Sequence, residues 1–225
     1  MMRGMNLPLV AAIVLLTAAA QAPDGPVPVE EEPNHKTVFK NDYVQAFRVT
    51  LEPGKATLVH VHAHDDVAVR LSTATIEADG PGQPAPARED TVPGAVSARG
   101  NEAKPLTHRV KNVGTTVFDV LDVQALARPE GPEAPAITKP DAENARMRVY
   151  RYALEPGAAT PQHTHARPYL VVAATDVQLK MTAPAGRAME HPVKAGDLHW
   201  VDAAVTHTLV NAGTEKAVLV EIELK

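Results

Sequence analysis

Histidines recur at every second residue in two separate stretches of this chain. The first stretch carries His60 and His62, and the second carries His163 and His165, 103 residues further on. In an extended strand, residues i and i+2 point to the same face, so each pair places two imidazoles side by side. Neighbouring imidazole nitrogens are typical ligands of divalent metal ions. The spacing therefore indicates a metal site in each stretch.

A third histidine follows each pair. It is His108 in the first half and His207 in the second, and each stands four residues before an asparagine. These histidines differ by 99 positions, so a deletion of four residues relates the two halves. A repeat of this length indicates two copies of one domain rather than a solenoid. The alternative is that the histidines are inert remnants of a lost site.

The residues around the histidines have the pattern of short β-strands. In QAFRVTL and RVYRYAL, at matching positions in the two halves, apolar residues alternate with other residues, which is typical of half-buried strands. Each stretch is followed by Glu-Pro-Gly, a turn in which Gly54 or Gly157 takes a positive φ. After residue 22, the sequence shows no sustained helical periodicity. We therefore predict an all-β chain, with about eight short strands in each copy.

The N-terminus has the pattern of a secretory signal peptide. Arg3 precedes the apolar run LPLVAAIVLLTAAA, and Ala-Gln-Ala forms a small-residue cleavage site. We predict a signal peptide over residues 1–22 and an exported protein, periplasmic or secreted, whose mature form has no membrane segment. The alternative is an uncleaved anchor. The remaining predicted bounds are 38–126 for domain 1, 127–144 for a proline-rich linker and 145–225 for domain 2.

Composition narrows the classes of partner. The chain has 22 Lys and Arg against 27 Asp and Glu, a formal net charge of −5, and no basic run. Nucleic acids and anionic membrane surfaces are therefore poor partners, and a small molecule is the expected ligand. The chain has no cysteine, which rules out disulfides, thiolate metal sites and thiol nucleophiles. Composition leaves open whether the protein forms a homo-oligomer.

The histidine motifs resemble those of the cupins. GKATLVHVH and GAATPQHTH match the first half of the first cupin motif, and GDLHWVDAAVTHTLVN resembles the second motif, with Asp202 and Ala204 where proline and glycine are usual. The resemblance covers nearly all of the chain after the signal peptide. It implies two tandem jelly-roll β-barrels that bind a divalent metal ion (Fe, Mn or Zn). The implied ligands are His60, His62 and His108 in domain 1, and His163, His165 and His207 in domain 2.

The chain departs from the cupin pattern at the glutamate that usually provides a fourth ligand. Asp66 takes that place in the first copy and Tyr169 in the second. We predict Asp66 as a metal ligand and Tyr169 as an aromatic residue of the cavity wall. The first site would then have three histidines and a carboxylate, and the second would have three histidines alone. We therefore expect the first site to hold Mn or Fe more strongly.

The resemblance does not fix the reaction, because this fold serves many chemistries. One hypothesis is an oxidoreductase of the dioxygenase type that acts on a small oxygen-rich compound. The alternatives are a non-catalytic module that binds a metal or small ligand, and a sugar-isomerase-like cupin. Of the other candidate residues, His35 and His191 are expected at the surface. His64 and Arg167 are expected either at a cavity mouth or in solvent.

Overall fold

The computed structural model describes residues 25–182, 188–202 and 204–225, and nearly all of its regular structure is β-strand. The predicted signal peptide, residues 1–22, lies outside the described residues. Within them, no helix combines the length and the hydropathy that crossing a bilayer would require.

The first half of the chain forms ten strands and one short 3-10 turn, Val29–Glu31. The strands are β1 (Val27–Pro28), β2 (His35–Lys40), β3 (Val44–Leu51), β4 (His60–His62), β5 (Asp66–Arg70), β6 (Ala74–Asp79), β7 (Ala87–Thr91), β8 (Val96–Arg99), β9 (Leu106–Asn112) and β10 (Phe118–Ala125).

The second half repeats this series without a counterpart of β1 among the described residues. Its strands are β11 (Ala142–Glu143), β12 (Met147–Leu154), β13 (His163–His165), β14 (Tyr169–Ala173), β15 (Val177–Thr182), β16 (Ala188–Val193), β17 (Leu198–Val201), β18 (Val205–Asn211) and β19 (Ala217–Leu224).

Each half folds into two facing sheets of the same strand order. In the first half the orders are β2-β3-β10-β5-β8 and β1-β4-β9-β6-β7, and in the second they are β11-β12-β19-β14-β17 and β13-β18-β15-β16. Every strand after β1 therefore has an equivalent in the other half. The predicted fold class, two tandem jelly-roll barrels in an all-β chain, is confirmed. The domain bounds derived from sequence stay a prediction.

The two barrels share one apolar core. It forms between the sheet that contains β10 and the sheet that contains β19, and buries Leu121 and Val123 from the first barrel with Val220 and Ile222 from the second. Because side chains alternate along a strand, the intervening residues point the other way, into each barrel. Those residues are Asp122 on β10 and Glu221 on β19. The alternation of side chains therefore places one carboxylate in the interior of each barrel.

The predicted Glu-Pro-Gly turns are confirmed. Gly54 has φ of 79° and Gly157 has φ of 76°. The residue after each glycine donates a backbone hydrogen bond back to the glutamate carbonyl, at 3.0 Å from Lys55 to Glu52 and 2.9 Å from Ala158 to Glu155. Each turn ends the strand before the histidine pair, so it helps to return the chain across the barrel to the opposite sheet.

Candidate metal centres

The first barrel brings its three predicted histidine ligands together. His60 and His62 share the inner face of β4, and His60 pairs in register with His108 on β9. The Nε2 atom of His62 lies 3.1 Å from Nε2 of His60 and 3.2 Å from Nε2 of His108. All three side chains are buried. The spacing of i and i+2 and the antiparallel register therefore position this cluster.

The second barrel repeats the arrangement on β13 and β18. His163 pairs in register with His207, and their Nε2 atoms are 2.9 Å apart. His165 occupies the same face of β13 as His163, and its ring centroid lies 5.4 Å from that of His207. The three histidines of this barrel are likewise buried.

A glutamate that sequence reasoning missed completes the second cluster. One carboxylate oxygen of Glu221 lies 3.0 Å from Nε2 of His163 and 3.3 Å from Nε2 of His165. The other oxygen lies 3.2 Å from Nε2 of His207. Donor atoms of all four side chains fall within 4.8 Å of one another. A signal for Glu221 was present, because it stands 99 residues after Asp122 and is an acidic residue at an inward position of a strand.

The charges of the second cluster suit a divalent cation. Burial opposes ionisation of Glu221, but contact with His163, His165 and His207 holds the pKa of this carboxyl well below its usual range. Although burial disfavours their charged forms, the same contacts raise the pKa of His163 and of His165. Without a cation, the carboxylate can only be balanced by protonating an imidazole. A metal ion would take the place of that proton.

The distances within the second cluster also suit a divalent cation. Ligands at about 2.1 Å from an ion and at right angles to each other are about 3.0 Å apart, close to the separations observed here. Nε2 of His165 and Oε1 of Glu221 are buried and make no hydrogen bond within the described part of the chain. Buried polar atoms without partners are rare and call for an explanation. A metal ion at their centre would provide one.

Hydrogen bonds on the far side of the rings fix their orientation. Nδ1 of His163 donates to the carbonyl of Pro161 at 2.8 Å, and Nδ1 of His165 lies 2.8 Å from a carboxylate oxygen of Glu223. Each of these rings would therefore keep its proton on Nδ1 when a cation binds at Nε2. Oxygen partners of this kind are typical of metal-binding histidines.

The carboxylate of Asp66 lies apart from the three Nε2 atoms, although Asp66, His62 and Asp122 form a separate group that could hold a metal ion. The Asp66 carboxylate lies 3.1 Å from Nδ1 of His62, the ring nitrogen that faces away from His60 and His108. Arg99 and Asn101 bind the same carboxylate at 2.6 and 2.7 Å. Burial opposes ionisation of Asp66, but these contacts with His62 and Arg99 lower its pKa. Asp66 therefore orients His62 from behind rather than joining the three Nε2 atoms.

Asp122, the equivalent of Glu221, also faces the back of His62. Its Oδ2 atom lies 3.2 Å from Nδ1 of His62, and Arg99 lies 3.6 Å from Oδ1. Burial and the neighbouring Asp66 raise the pKa of Asp122. The side chain of aspartate is one methylene shorter than that of glutamate. The carboxylate that meets three Nε2 atoms therefore belongs to the second barrel, whereas the sequence predicts a carboxylate ligand in the first.

The structure also describes Tyr169, Arg167 and His35, for which the sequence makes predictions. Tyr169 stacks on His165 with ring centroids 3.6 Å apart, as expected of an aromatic in the cavity wall. Arg167 is buried and donates hydrogen bonds to linker carbonyls, including that of Gly131 at 2.6 Å, so it is neither solvated nor free for a ligand. The surface prediction for His35 is wrong. It is 8% exposed and lies against His60, with ring centroids 4.6 Å apart.

Comparison with known proteins adds to this picture. No protein-family model matches the chain. The chain is 34% identical to the beta-alanine degradation protein BauB of Pseudomonas aeruginosa over 90 residues, which is 40% of this chain and 94% of BauB.

Two solved structures share the fold at low sequence identity. AerE from Microcystis aeruginosa has a TM-score of 0.57 at 11% identity, covering 86% of this chain and 98% of AerE. Oxalate decarboxylase from Bacillus subtilis, a protein with Mn(II) centres, has a TM-score of 0.52 at 15% identity, covering 81% of this chain and 69% of the decarboxylase.

The fold and the two histidine clusters define a class of protein with two jelly-roll barrels, each containing residues that could bind a metal ion. The chain belongs to the cupin family, as a cupin with two domains.

Proposed function

We propose that the second barrel contains the working centre of a metal-dependent oxidoreductase of the dioxygenase type. Its ligands would be His163, His165, His207 and Glu221, and its metal Fe or Mn. The observation that carries this proposal is the convergence of three Nε2 atoms on one buried carboxylate, at 3.0–3.3 Å. A carboxylate among imidazoles favours harder divalent ions than imidazoles alone.

When bound, the ion would supply Lewis-acid and redox chemistry at coordination positions that the protein leaves open. The surrounding residues have separate tasks. Glu221 provides the negative charge that retains the ion, and Glu223 keeps the proton of His165 on Nδ1. Tyr169 covers one face of His165 and Tyr152 stacks on His163 at 5.8 Å, so both aromatic rings keep water from the ligands.

A cavity of about 550 Å³ is lined mostly by strands of the second barrel, and Val38, Phe39 and Arg48 of the first barrel complete its wall. Its wall includes Val171, Leu209 and Leu219, each two residues along its strand from a member or neighbour of the cluster (Tyr169, His207 and Glu221). Residues two apart on a strand share a face, so these three wall residues point to the same barrel interior as the cluster. Its volume is within the usual range for small-molecule pockets.

The lining of this cavity indicates the kind of substrate. The wall is mainly apolar, and its one arginine, Arg48, is bound to Asp119 through two hydrogen bonds, of 3.0 and 2.6 Å. An arginine held in this way is poorly placed to bind a second carboxylate. We therefore propose a small compound with oxygen donors on an apolar body, such as a phenol or a diketone, rather than a compact dianion such as oxalate.

The rival proposal is a non-catalytic module that binds the metal or a small ligand. It is favoured by the burial of all four side chains of the cluster, because buried metal sites often serve structure. The two proposals predict the same metal content. They differ in whether oxygen is consumed when a compound enters the cavity.

The test combines metal analysis with oxygen consumption. Protein purified from its native host is analysed for metals, and oxygen uptake is followed with a panel of phenols and diketones. We expect Fe or Mn in the second barrel and oxygen uptake with at least one compound, both reduced by Glu221→Gln. The matched control is Glu215→Gln, which removes an exposed carboxylate of the neighbouring loop. Compound binding without oxygen uptake would support the binding module instead.

We also propose that the chain is exported, on the strength of the N-terminal sequence pattern. Mass spectrometry of the extracytoplasmic fraction should detect a mature N-terminus near Pro23. Recovery of protein with intact Met1 from the cytosol would contradict this proposal.

A further inference from the structure

The first barrel contains a fourth histidine that is prepared in the same way as its ligands. Nδ1 of His35 lies 2.7 Å from a carboxylate oxygen of Glu32, and Nδ1 of His60 donates to the carbonyl of Leu58 at 2.9 Å. Nδ1 of His62 lies within 3.2 Å of two carboxylates. In each ring the oxygen partner holds the proton on Nδ1, so that the Nε2 lone pair is available.

The four imidazoles of this barrel are connected through His62, which contacts both His60 and His108. Donor atoms of His35, His60 and His62 lie within 4.8 Å of one another. His108 joins them, with Nε2 at 3.2 Å from Nε2 of His62 and its ring centroid 4.6 Å from that of His60. All four line a cavity of about 110 Å³, which has room for an ion and a few water molecules.

The N-terminal segment positions His35 in the cluster. His35 begins β2 and pairs in register with Val49 on β3, whose side chain faces the barrel interior. Glu32, in the turn before β2, is 1% exposed and also accepts a hydrogen bond from the backbone of Leu58 at 3.0 Å.

The second barrel fills the corresponding position with another side chain. Its equivalent of Val49 is Tyr152, 103 residues later, and Tyr152 stacks on His163. The strand equivalent to β2 is reduced to β11, only Ala142–Glu143. A small valine in the first barrel therefore leaves room beside His60 for an imidazole, whereas a large tyrosine in the second barrel does not.

We propose that the first barrel binds a divalent ion through four imidazoles, those of His35, His60, His62 and His108, with no carboxylate ligand. An all-imidazole set favours borderline ions such as Zn, Co, Ni or Cu over Mn. Asp66, Asp122 and Glu32 act on the far side of the rings and offset part of the charge of the ion. This proposal concerns the other barrel and is independent of the oxidoreductase proposal.

The experiment uses the full chain with the second site removed by His163→Ala and His165→Ala. The protein is loaded with Cu(II) alone, the nitrogen ligands are counted from the hyperfine structure of its electron paramagnetic resonance spectrum, and the affinity is measured by competition with a chelator. We expect the spectrum to show four imidazole nitrogens bound to Cu(II). In His35→Asn we expect three nitrogens and an affinity lower by about tenfold or more.

Asparagine is chosen because its amide nitrogen can replace Nδ1 as a donor to Glu32 while nothing replaces Nε2. An unfolding curve measured in the presence of chelator checks that His35→Asn folds. If this variant does not fold, the nitrogen count of the chain that keeps His35 still tests the proposal. The matched control is His64→Asn, a nearby histidine outside the cluster, which should leave both readings unchanged. A count of three in the first barrel, an affinity unaffected by His35→Asn, or no Cu(II) binding would overturn the proposal.

Discussion

The two barrels present three equivalent histidines on equivalent strands, yet the residues around these histidines differ. In the second barrel, Glu221 reaches the three Nε2 atoms. In the first, the equivalent Asp122 contacts the far side of His62 and shares Arg99 with Asp66. The position equivalent to Arg99 is Val201, and the position equivalent to Asp66 is Tyr169.

This difference shows how few substitutions separate two candidate metal sites of different composition on one scaffold. In the second barrel the partners of Glu221 are imidazoles, because its neighbours Tyr169 and Val201 offer it no positive charge. In the first barrel Arg99 attracts both aspartates away from the cluster, and His35 enters from the N-terminal segment. A carboxylate-containing site and an all-imidazole site follow from the same backbone, with opposite expected preferences for hard and borderline ions.

The largest expected effect is the loss of metal from one barrel while the other barrel keeps its own. His60→Ala with His62→Ala should empty the first site, and His163→Ala with His165→Ala should empty the second, because each change removes two imidazoles from one face. Metal per chain is read by mass spectrometry of the purified protein. Oxygen uptake should be lost only in the second variant. If metal per chain is unchanged in both variants, the ligand assignment is wrong.

Acid should act in opposite directions on the two metal-free barrels. Burial lowers the pKa of His60 to about 4, so the unfolded chain binds more protons than the folded chain between pH 6.5 and 4. Acidification through that window should destabilise the first barrel by on the order of 3 kcal/mol. Raised pKa values of His163 and His165 contribute stability that is fully present below their ordinary pKa of 6.5 and is lost as the pH rises through the folded values.

Hydrogen exchange of individual strands checks this contrast in protein treated with chelator. Between about pH 7.5 and about pH 5, after correction for intrinsic exchange rates, opening should become easier in β4 and β9 and harder in β13 and β18. Glu221 limits the stabilisation of the second barrel by acid. Its lowered pKa contributes stability that is present above about pH 4.5 and is lost as the pH falls further. Parallel changes in the two barrels would contradict the assigned protonation states.

Reciprocal carboxylate variants sharpen the comparison. Glu221→Asp shortens the ligand of the second barrel, and we expect the affinity for Mn(II) to fall by about 10- to 100-fold. Asp122→Glu lengthens its equivalent in the first barrel, where Arg99 still holds the carboxylate, so a rise in Mn(II) affinity should also require Arg99→Val. Titrations with Mn(II) on backgrounds that lack the other site measure each change. A rise in affinity from Asp122→Glu alone would mean that Arg99 does not restrain this carboxylate.

Much of the fold and half of the site chemistry could be read from the sequence. Period-two alternation, the Glu-Pro-Gly turns and the repeat predict two all-β barrels, and His-x-His predicts two imidazoles on one face. Glu221 was missed because it reaches the histidines from the facing sheet: β19 lies in one sheet, and β13 and β18 lie in the other. The contact of Asp66 with Arg99 was missed for a similar reason, since Arg99 lies 33 residues away and reaches Asp66 only by pairing of β5 with β8.

The smallest expected effect comes from the residue behind His165. Glu223 lies 2.8 Å from Nδ1 of His165, whereas its first-barrel equivalent, Gln124, donates instead to Glu30 at 2.8 Å. Glu223→Gln keeps the shape but removes the charge that strengthens the hydrogen bond and the basicity of Nε2. We expect the metal affinity of the second barrel to fall by about tenfold, with the first barrel unchanged. The control is Glu155→Gln, an exposed glutamate of the turn before β13. If Glu223→Gln and Glu155→Gln bind the metal equally well, His165 is oriented by packing against Tyr169 rather than by Glu223.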